Sequence, residues 1–481
     1  MSTVERVGAG PASDSGDPAA GPAAGSGAAS EARRRHDATV DELVRAYRAV
    51  PAGTPVRLGK RTSNLFRFGT PAPDPVLLDT SGLAGVIEVD RAARTADVQG
   101  MCSYEDLVAA TLPHGLMPLV VPQLKTITLG GAVTGLGIES TSFRHGLPHE
   151  SVLEMDVLTP AGELVTAAPD TEHADLYAAF ANSYGTLGYA LRLRIELQPV
   201  KPYVRLTHHR FRTAEEATAA LAAFARPDGP ADFVDGTVFS DREHYVSVGR
   251  FVDVPTPGAQ VSDYTGMDVF YRSLQRRPVD HLTVHDYLWR WDTDWFWCSR
   301  AFGVQVPAVR RVWPKRYRRS DVYRRLVALD QRYQASNTVR RALGRPEEEM
   351  VVQDVEIPTP RLPEFLAAFH EHVGIAPVWL CPLQLRGDRT WPLYPMEPHT
   401  PYVNVGFWSS VPVGADREEH NRFVERLVAD LDGHKSLYST VHYGETEFWE
   451  RYNGTAYRAV KQRYDPAGRV PDLFTKVGGG A

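Results

Sequence analysis

Pro122–Gly146 reads PQLKTITLGGAVTGLGIESTSFRHG, with five glycines, six Ser/Thr residues and almost no bulky charge. Glycine lets a backbone come close to a ligand, and consecutive amides can cradle phosphate oxygens as a nest. A glycine-rich surface turn has the same composition, so this stretch alone leaves both readings open. Gly135-x-Gly137 continues as Ile-Glu-Ser, without the third glycine of the Rossmann fingerprint and without a strand-then-long-helix context. That argues against the Rossmann fold, and no lysine-bearing triphosphate loop is present either.

Two further segments favour the ligand reading. Arg57–Arg67 (RLGKRTSNLFR) follows a strand-like run and is rich in donors, as a pyrophosphate-binding turn must be. Asn182–Gly188 (NSYGTLG) offers small residues and hydroxyls just before the alternating run Leu191–Leu197, which reads as a half-buried strand with Arg and Glu outward. Three such loops on one strand-rich unit exceed what surface turns require.

Outward from these loops, short strands are expected at Val56–Leu58, Val76–Asp79, Val86–Val89, Thr95–Val98, Val152–Thr159 and Glu163–Thr166. Ser103 with Asp106 predicts a capped helix through Thr111. Before them, Val40, Leu43, Val44 and Tyr47 share one face of a short helix beginning near His36. Gly8–Ser30 contains only Gly, Ala, Pro, Ser and Asp, so residues 1–35 are expected to be a disordered tail. Pro199 and Pro202 place a boundary near residue 200. Beyond it, helices are expected at Thr213–Ala225, Arg361–Val373 and Asn421–Leu431, mixed with strands. The expected fold class is α+β.

In chain order, the donor loop, then Pro122, Thr128, Gly130-Gly131-Ala132 and Gly135, Arg144-His145-Gly146, Asp156–Val165 (DVLTPAGELV) and Ser183–Gly188 (SYGTLG) resemble the FAD domain of the vanillyl-alcohol-oxidase superfamily. Val351–Pro358, Pro377–Pro382 and Glu447–Gly454 are similar to its sterol Δ24-reductase (diminuto) branch, whose bacterial relatives include reductases of 10-methylene acyl chains in tuberculostearic acid synthesis. The resemblance implies a two-subdomain PCMH-type FAD-binding domain over 36–200, a mixed substrate (cap) domain over 201–440, and a segment 441–481 returning to the FAD domain. It implies FAD contacts from Arg61, Thr62, Ser63, Asn64, Leu65, Pro122, Thr128, Gly130, Gly131, Gly135, Ser140, His145, Gly146, Gly185, Thr186, Gly188, Ile195 and Asn453. No histidine lies between Val56 and Phe68, so the flavin is expected to be non-covalent. The implied reaction is reduction of an isolated C=C of a lipid or fatty-acyl substrate, with NADPH as a transient electron donor and a methylene-forming methyltransferase as pathway partner. Sterol reductases carry an N-terminal membrane anchor, and this chain has a polar tail there instead.

An unactivated alkene has no carbonyl to accept charge, so protonation must lead or accompany hydride transfer, and the site needs a positioned acid. Sequence leaves the acid open among Asp286, Tyr287, Glu447, Tyr452, Tyr457 and His442. An alcohol or sugar oxidase on the same fold, or a lipid-binding protein with a degenerate flavin fold, also stays open.

Fifty-nine acidic residues against 53 Lys and Arg give a net charge of −6, which argues against nucleic-acid binding. Three scattered cysteines form no metal or disulfide framework, and His370-Glu371-His372 has the wrong spacing for a helical ligand pair, so no metal is expected. No apolar run is long enough to cross a membrane, and the expected location is cytoplasmic. Trp289, Trp291, Trp295, Trp297 and Trp313 precede or overlap a basic run from Arg310 to Arg325. That pattern reads either as a peripheral contact with an anionic membrane or as a packed aromatic core followed by a solvated basic helix.

Overall fold

The computed structural model describes residues 24–60, 65–67 and 75–478. Its first sheet holds β3 (Val86–Asp90), β4 (Thr95–Gln99), β6 (Val152–Leu158), β7 (Leu164–Ala167) and β8 (Tyr189–Pro199) in the order β3-β4-β8-β6-β7. A short strand β5 (Leu116–Pro118) pairs with the far end of β8, and β1 (Val56–Leu58) pairs in parallel with β2 (Val76–Leu78). Around them lie α1 (Ala24–Ala49), α2 (Tyr104–Thr111), α3 (Leu129–Gly135), α4 (Ser142–His145) and α5 (Ala174–Phe180). Ser103 caps α2 by accepting the Asp106 amide at 3.1 Å.

Two expectations are corrected here. The helix α1 begins at Ala24, twelve positions before His36, so the stretch expected as tail is partly helical. Val40, Leu43, Val44 and Tyr47 pack on Leu78, Leu83 and Leu191, and alanine-rich sequence propagates a helix readily once its end is anchored. Strand β8 is also not half-exposed: Arg192 is buried, because β8 lies at the centre of its sheet. Its guanidinium meets Asp97 at 2.5 Å, Asp156 at 2.5 Å and Glu154 at 2.7 Å on the flanking strands. Burial pushes the Asp156 carboxyl up, but the hydrogen bond and charge of Arg192 outweigh it and hold the group below its ordinary value. Arg192→Met strands these carboxylates and is expected to cost about 3 kcal/mol of stability at pH 7 in denaturant titrations. Since the depressed Asp156 contributes its full stability above its unfolded value and loses it as pH falls through the lower folded value, the penalty should shrink below about pH 4.

The second sheet has nine strands in the order β12-β13-β9-β11-β10-β15-β16-β14-β17. They are β9 (Tyr203–Phe211), β10 (Phe233–Ser240), β11 (Glu243–Val252), β12 (Val261–Ser262), β13 (Val279–Thr283), β14 (Glu348–Pro358), β15 (Val378–Leu383), β16 (Tyr402–Pro412) and β17 (His434–Lys435). One face is aliphatic, with Val234, Val246, Val355 and Val405 packed under α6 (Ala214–Phe224), α12 (Leu362–His372) and α13 (Glu419–Asp430). The opposite face carries Phe233, Trp379 and Trp408 and shares one core with Leu129, Val133 and Leu187 of the first unit.

Along this seam run α7 (Phe270–Ser273), α8 (Val284–Leu288), α9 (Pro307–Val312), α10 (Ser320–Tyr333) and α11 (Ala335–Ala342). Trp289, Trp291, Trp295 and Trp297 are buried, with Phe296 stacked on Trp408 at 4.2 Å. This corrects the reading of the tryptophans as lipid-facing: four of the five are core. The C-terminal helices α14 (Glu445–Arg451), α15 (Gly454–Tyr464) and α16 (Leu473–Val477) lie against the first unit, where Lys461 donates to the Thr186 carbonyl and Arg469 to those of Tyr47 and Val50.

Candidate functional site

The glycine loops meet at the edge of the first sheet. Thr128 caps α3 by accepting the Gly131 amide, and the Gly130 amide donates to the Gly100 carbonyl at 2.9 Å. A Cβ on Gly130 would stand 2.7 Å from that carbonyl oxygen, so only glycine permits the approach. The Asn182–Gly188 loop turns through left-handed residues Asn182, Tyr184 and Gly185, and Gly188 at φ +131° passes the Leu158 carbonyl with no room for a side chain. The Tyr184 hydroxyl donates to the Gly135 carbonyl at 2.8 Å, which joins this loop to α3.

One end of the resulting cleft is cationic. The Arg67 guanidinium lies over the Tyr184 ring at 4.8 Å and donates to the Lys476 carbonyl at 3.0 Å. The Lys476 ammonium stands beside Gly185; surrounding protein lowers its pKa to about 7, with Arg67, Lys60, Lys461 and Arg57 pushing the same way. Lys461 is compensated by Asp465 at 2.7 Å, but among the described residues no carboxylate pairs with Lys476. Lys476 keeps open surface although protein mass surrounds it, as a group lining a cleft does. The buried Arg67 Nε has no partner among the described residues. A polyanion seated here relieves the repulsion and meets these donors.

The other side of Tyr184 faces carboxyl groups. Asp354 and Glu356, two positions apart on β14, lie on the same side of the second sheet, and both raise the Tyr184 hydroxyl pKa. Asp354 accepts the Asn404 amide at 2.9 Å and interacts with the Tyr438 hydroxyl; burial outweighs both and raises its pKa to about 6. Glu356 is sealed from solvent, takes hydrogen bonds from Tyr394 and Ser436, and is held well above its ordinary value by burial and by Asp354. Asp354 and Tyr438, unlike Glu356, are only half-buried. The Phe66 amide donates to the Tyr438 carbonyl at 2.9 Å, which fixes the donor loop beside these groups.

A third cluster clamps the two units. Arg290 bridges Asp235 at 2.8 Å and Glu139 at 3.2 Å, while Tyr287 and Ser140 share a hydrogen bond of 2.8 Å. Burial, opposed by Arg290, raises the Glu139 pKa. Two open cavities lie apart from the glycine loops. One of about 600 Å³ is lined by Tyr271, Arg272 and Arg300, and one of about 430 Å³ by His434, Tyr443 and Tyr452.

The structure thus brings together Leu65, Thr128, Gly130, Gly131, Gly135, Gly185, Thr186 and Gly188; Arg61, Thr62, Ser63 and Asn64 lie outside the described residues. Pro122 is buried against Gly137, and Ser140 belongs to the clamp. Ile195 is fully buried core. His145 contacts Gln198 at 3.2 Å and Gly146 ends α4; ten residues of strand put Gln198 about 30 Å from Gly188. Asn453 is an exposed helix cap for α15. Among the proton-donor candidates, Asp286 sits in the first turn of α8, where its amide donates to the Thr283 cap, and although burial raises it, hydrogen bonds from His285 and Thr283 hold it below its ordinary value, the wrong direction for an acid. Glu447 pairs with Arg451 on the surface at 2.9 Å. His442 is lowered to about 4 by burial, so it is neutral at pH 7. The Tyr452 hydroxyl donates to the Lys435 carbonyl at 2.8 Å. The buried Tyr457 hydroxyl sits by Thr186 and Leu473 without a well-aligned hydrogen bond, on the cationic side of the cleft. Sequence reading missed Asp354, Glu356, Lys476 and the Glu139–Asp235–Arg290 clamp. The first two lie inside the quoted Val351–Pro358 run, where two carboxylates alternating with Val355 and Ile357 on one strand are the available signal.

Residues 36–168 match a family model described as FAD binding domain. The protein is an FAD-dependent oxidoreductase. The cationic end of the cleft, the glycine cradle and the donors Arg67 and Lys476 fit the diphosphate of FAD. The chain is 25% identical over 434 residues to a Delta(24)-sterol reductase homolog of Caenorhabditis elegans, covering 86% of this chain and 81% of that protein. It is 26% identical over 434 residues to a Delta(24)-sterol reductase of Arabidopsis thaliana, covering 83% and 76%. Cytokinin dehydrogenase 7 of Oryza sativa is 32% identical over 212 residues, 43% of this chain and 40% of that protein. Among the described residues no helix is long and apolar enough to cross a membrane.

Proposed function

We propose that the protein reduces an isolated carbon–carbon double bond in a lipid, converting the 10-methylene group of a fatty acyl chain into a 10-methyl branch with NADPH as reductant. The observation that carries this reading is Asp354, a half-buried carboxyl with a pKa of about 6 whose charge acts on Tyr184, the ring that Arg67 of the cationic end covers. Reduced FAD, when bound, supplies the hydride. Asp354 delivers the proton, and its pKa lies where both its acid form and its proton-transfer driving force are available near neutrality. Glu356 stays protonated behind it and spares Asp354 a neighbouring negative charge. Trp408, which donates to the Tyr438 hydroxyl at 3.1 Å, and the aromatic wall of the second sheet exclude water from the developing cation.

Relatives named for Delta(24)-sterol reduction support C=C reduction, and an identity near 25% leaves room for a different lipid. A methyltransferase that makes the methylene precursor is the natural pathway partner, and an anionic membrane the natural place to meet the substrate. The partial match to a cytokinin dehydrogenase favours, as second reading, a dehydrogenase on the same fold.

Anaerobic spectroscopy tests the assignment. The purified yellow protein should be bleached by NADPH and recoloured by a 10-methylene acyl lipid; bleaching by an alcohol or amine substrate instead would establish the dehydrogenase reading. Acid denaturation should release all the flavin into the supernatant, because no histidine lies in the donor segment 56–68 to hold it covalently.

A further inference from the structure

The face formed by α9, α10 and α11 takes no part in the site. Residues 306–345 hold twelve Lys and Arg against Asp321 and Asp330 alone, in a chain whose net charge is −6. Arg310 and Arg318 are buried in structural contacts, and Arg319 pairs with Glu105 at 2.7 Å. Arg325, Arg332, Arg341 and Arg345 are exposed. The same stretch holds seven of the fifteen large exposed apolar side chains among the described residues, with Val312 at 78%, Leu329 at 52%, Tyr333 at 64%, Val339 at 58% and Leu343 at 65%. Leu329 and Tyr333 fall one turn apart on α10, and Val339 on α11 and Leu343 at its C-cap have the same spacing, so each helix turns apolar side chains outward.

We propose that this helical face seats the protein on an anionic lipid bilayer. Apolar side chains interleaved with arginines match the two layers of such a surface, acyl chains beneath phosphates. A second copy would set arginine against arginine, and an acidic protein would satisfy the charges while leaving the apolar stripes without an apolar counterpart. The face also adjoins the site. Arg324 on α10 donates to the Leu65 carbonyl at 2.7 Å, and the next residue, Phe66, stacks on Trp295 at 5.4 Å and is hydrogen-bonded to Tyr438 beside Asp354. A lipid whose headgroup stays in the bilayer is therefore offered an apolar seam towards the acid. The seam rests on the lipid reading above; the docking does not.

Co-sedimentation of the full-length holoprotein with vesicles tests the docking. Vesicles of phosphatidylglycerol and phosphatidylcholine should bind it, and pure phosphatidylcholine should bind it at least about tenfold more weakly. Leu329→Asp with Val339→Asp, and separately Arg332→Glu with Arg341→Glu, should each weaken anionic binding about tenfold or more while leaving the flavin spectrum unchanged. Equal binding by wild type and the Asp variants overturns the proposal, as does a dimer that the Asp variants dissolve. Retention by an acidic electron-carrier protein without any vesicle binding overturns it too. If no alkene lipid is ever reduced but vesicle binding follows these variants, the docking stands and the substrate reading fails.

Discussion

Asp354→Asn leaves FAD bound and NADPH bleaching intact, while reoxidation by the alkene lipid falls about 100- to 10,000-fold, the range of a lost general acid. The amide keeps the size of the carboxyl, so the Asn404 and Tyr438 contacts lose only the charge-assisted part of their bonding. Stability should not suffer at neutral pH. The Asp354 pKa is raised by burial to about 6, so in the folded protein its ionised form is disfavoured relative to the unfolded chain, and the asparagine removes that penalty above about pH 4. The wild-type reoxidation rate should be flat at low pH and decline as pH rises through about 6, where this carboxyl loses its proton. In the variant that limb disappears. Stopped-flow reoxidation across pH 5 to 9, with the reductive half-reaction recorded in parallel, separates the two steps; an unaltered pH limb in the asparagine variant removes Asp354 as the proton source. Glu356→Gln serves as comparison, because a residue acting only through Asp354 should shift the limb rather than abolish it.

Local patterns carried much of the fold into view. The cap of Ser103 on Asp106, the helix after Thr213, and the strands at Val56, Val86, Thr95 and Val152 all rest on neighbours a few residues apart, and each forms where the sequence expects it. Arg192 and Asp354 escaped the same reading for one reason. Alternation assigns polar residues to the solvent face of a strand, but β8 and β14 have protein on both faces, and only strands distant in sequence supply the partners of their charges. The tryptophan run left a lipid surface and a packed core both open: the rings fill the seam between two sheets, and the apolar residues that face outward are the valines, leucines and tyrosines aligned on the helices that follow. The candidate acids chosen near the C-terminus were judged by residue type. What makes a carboxyl an acid is its surroundings, and those are assembled from β14, β16 and the Tyr438 loop.

The cationic end gives the second large effect. Lys476→Met should weaken FAD binding to apoprotein about 10- to 100-fold, the worth of one charge-assisted contact to a phosphate. The side chain lies at the surface of α16 with open area of its own, so the helix should survive the change, and far-UV circular dichroism should be unaltered. The protonation state adds a signature that a merely structural role would lack. With its pKa lowered to about 7 by surrounding protein and by the neighbouring cations, Lys476 is partly neutral in the empty cleft at pH 7 and mostly neutral at pH 8. A bound diphosphate favours the charged form, so binding takes up a proton at pH 8 and almost none at pH 5.5, where the ammonium is already charged. Titration calorimetry in buffers of different ionisation enthalpy reads this uptake directly. Wild type should show it, growing from pH 6 to pH 8, and Lys476→Met should lose it together with the affinity. A variant that loses affinity yet keeps the same proton uptake would assign the titrating group elsewhere, to Lys60 before any other, since it too is lowered by burial and lies on the same side of the cleft.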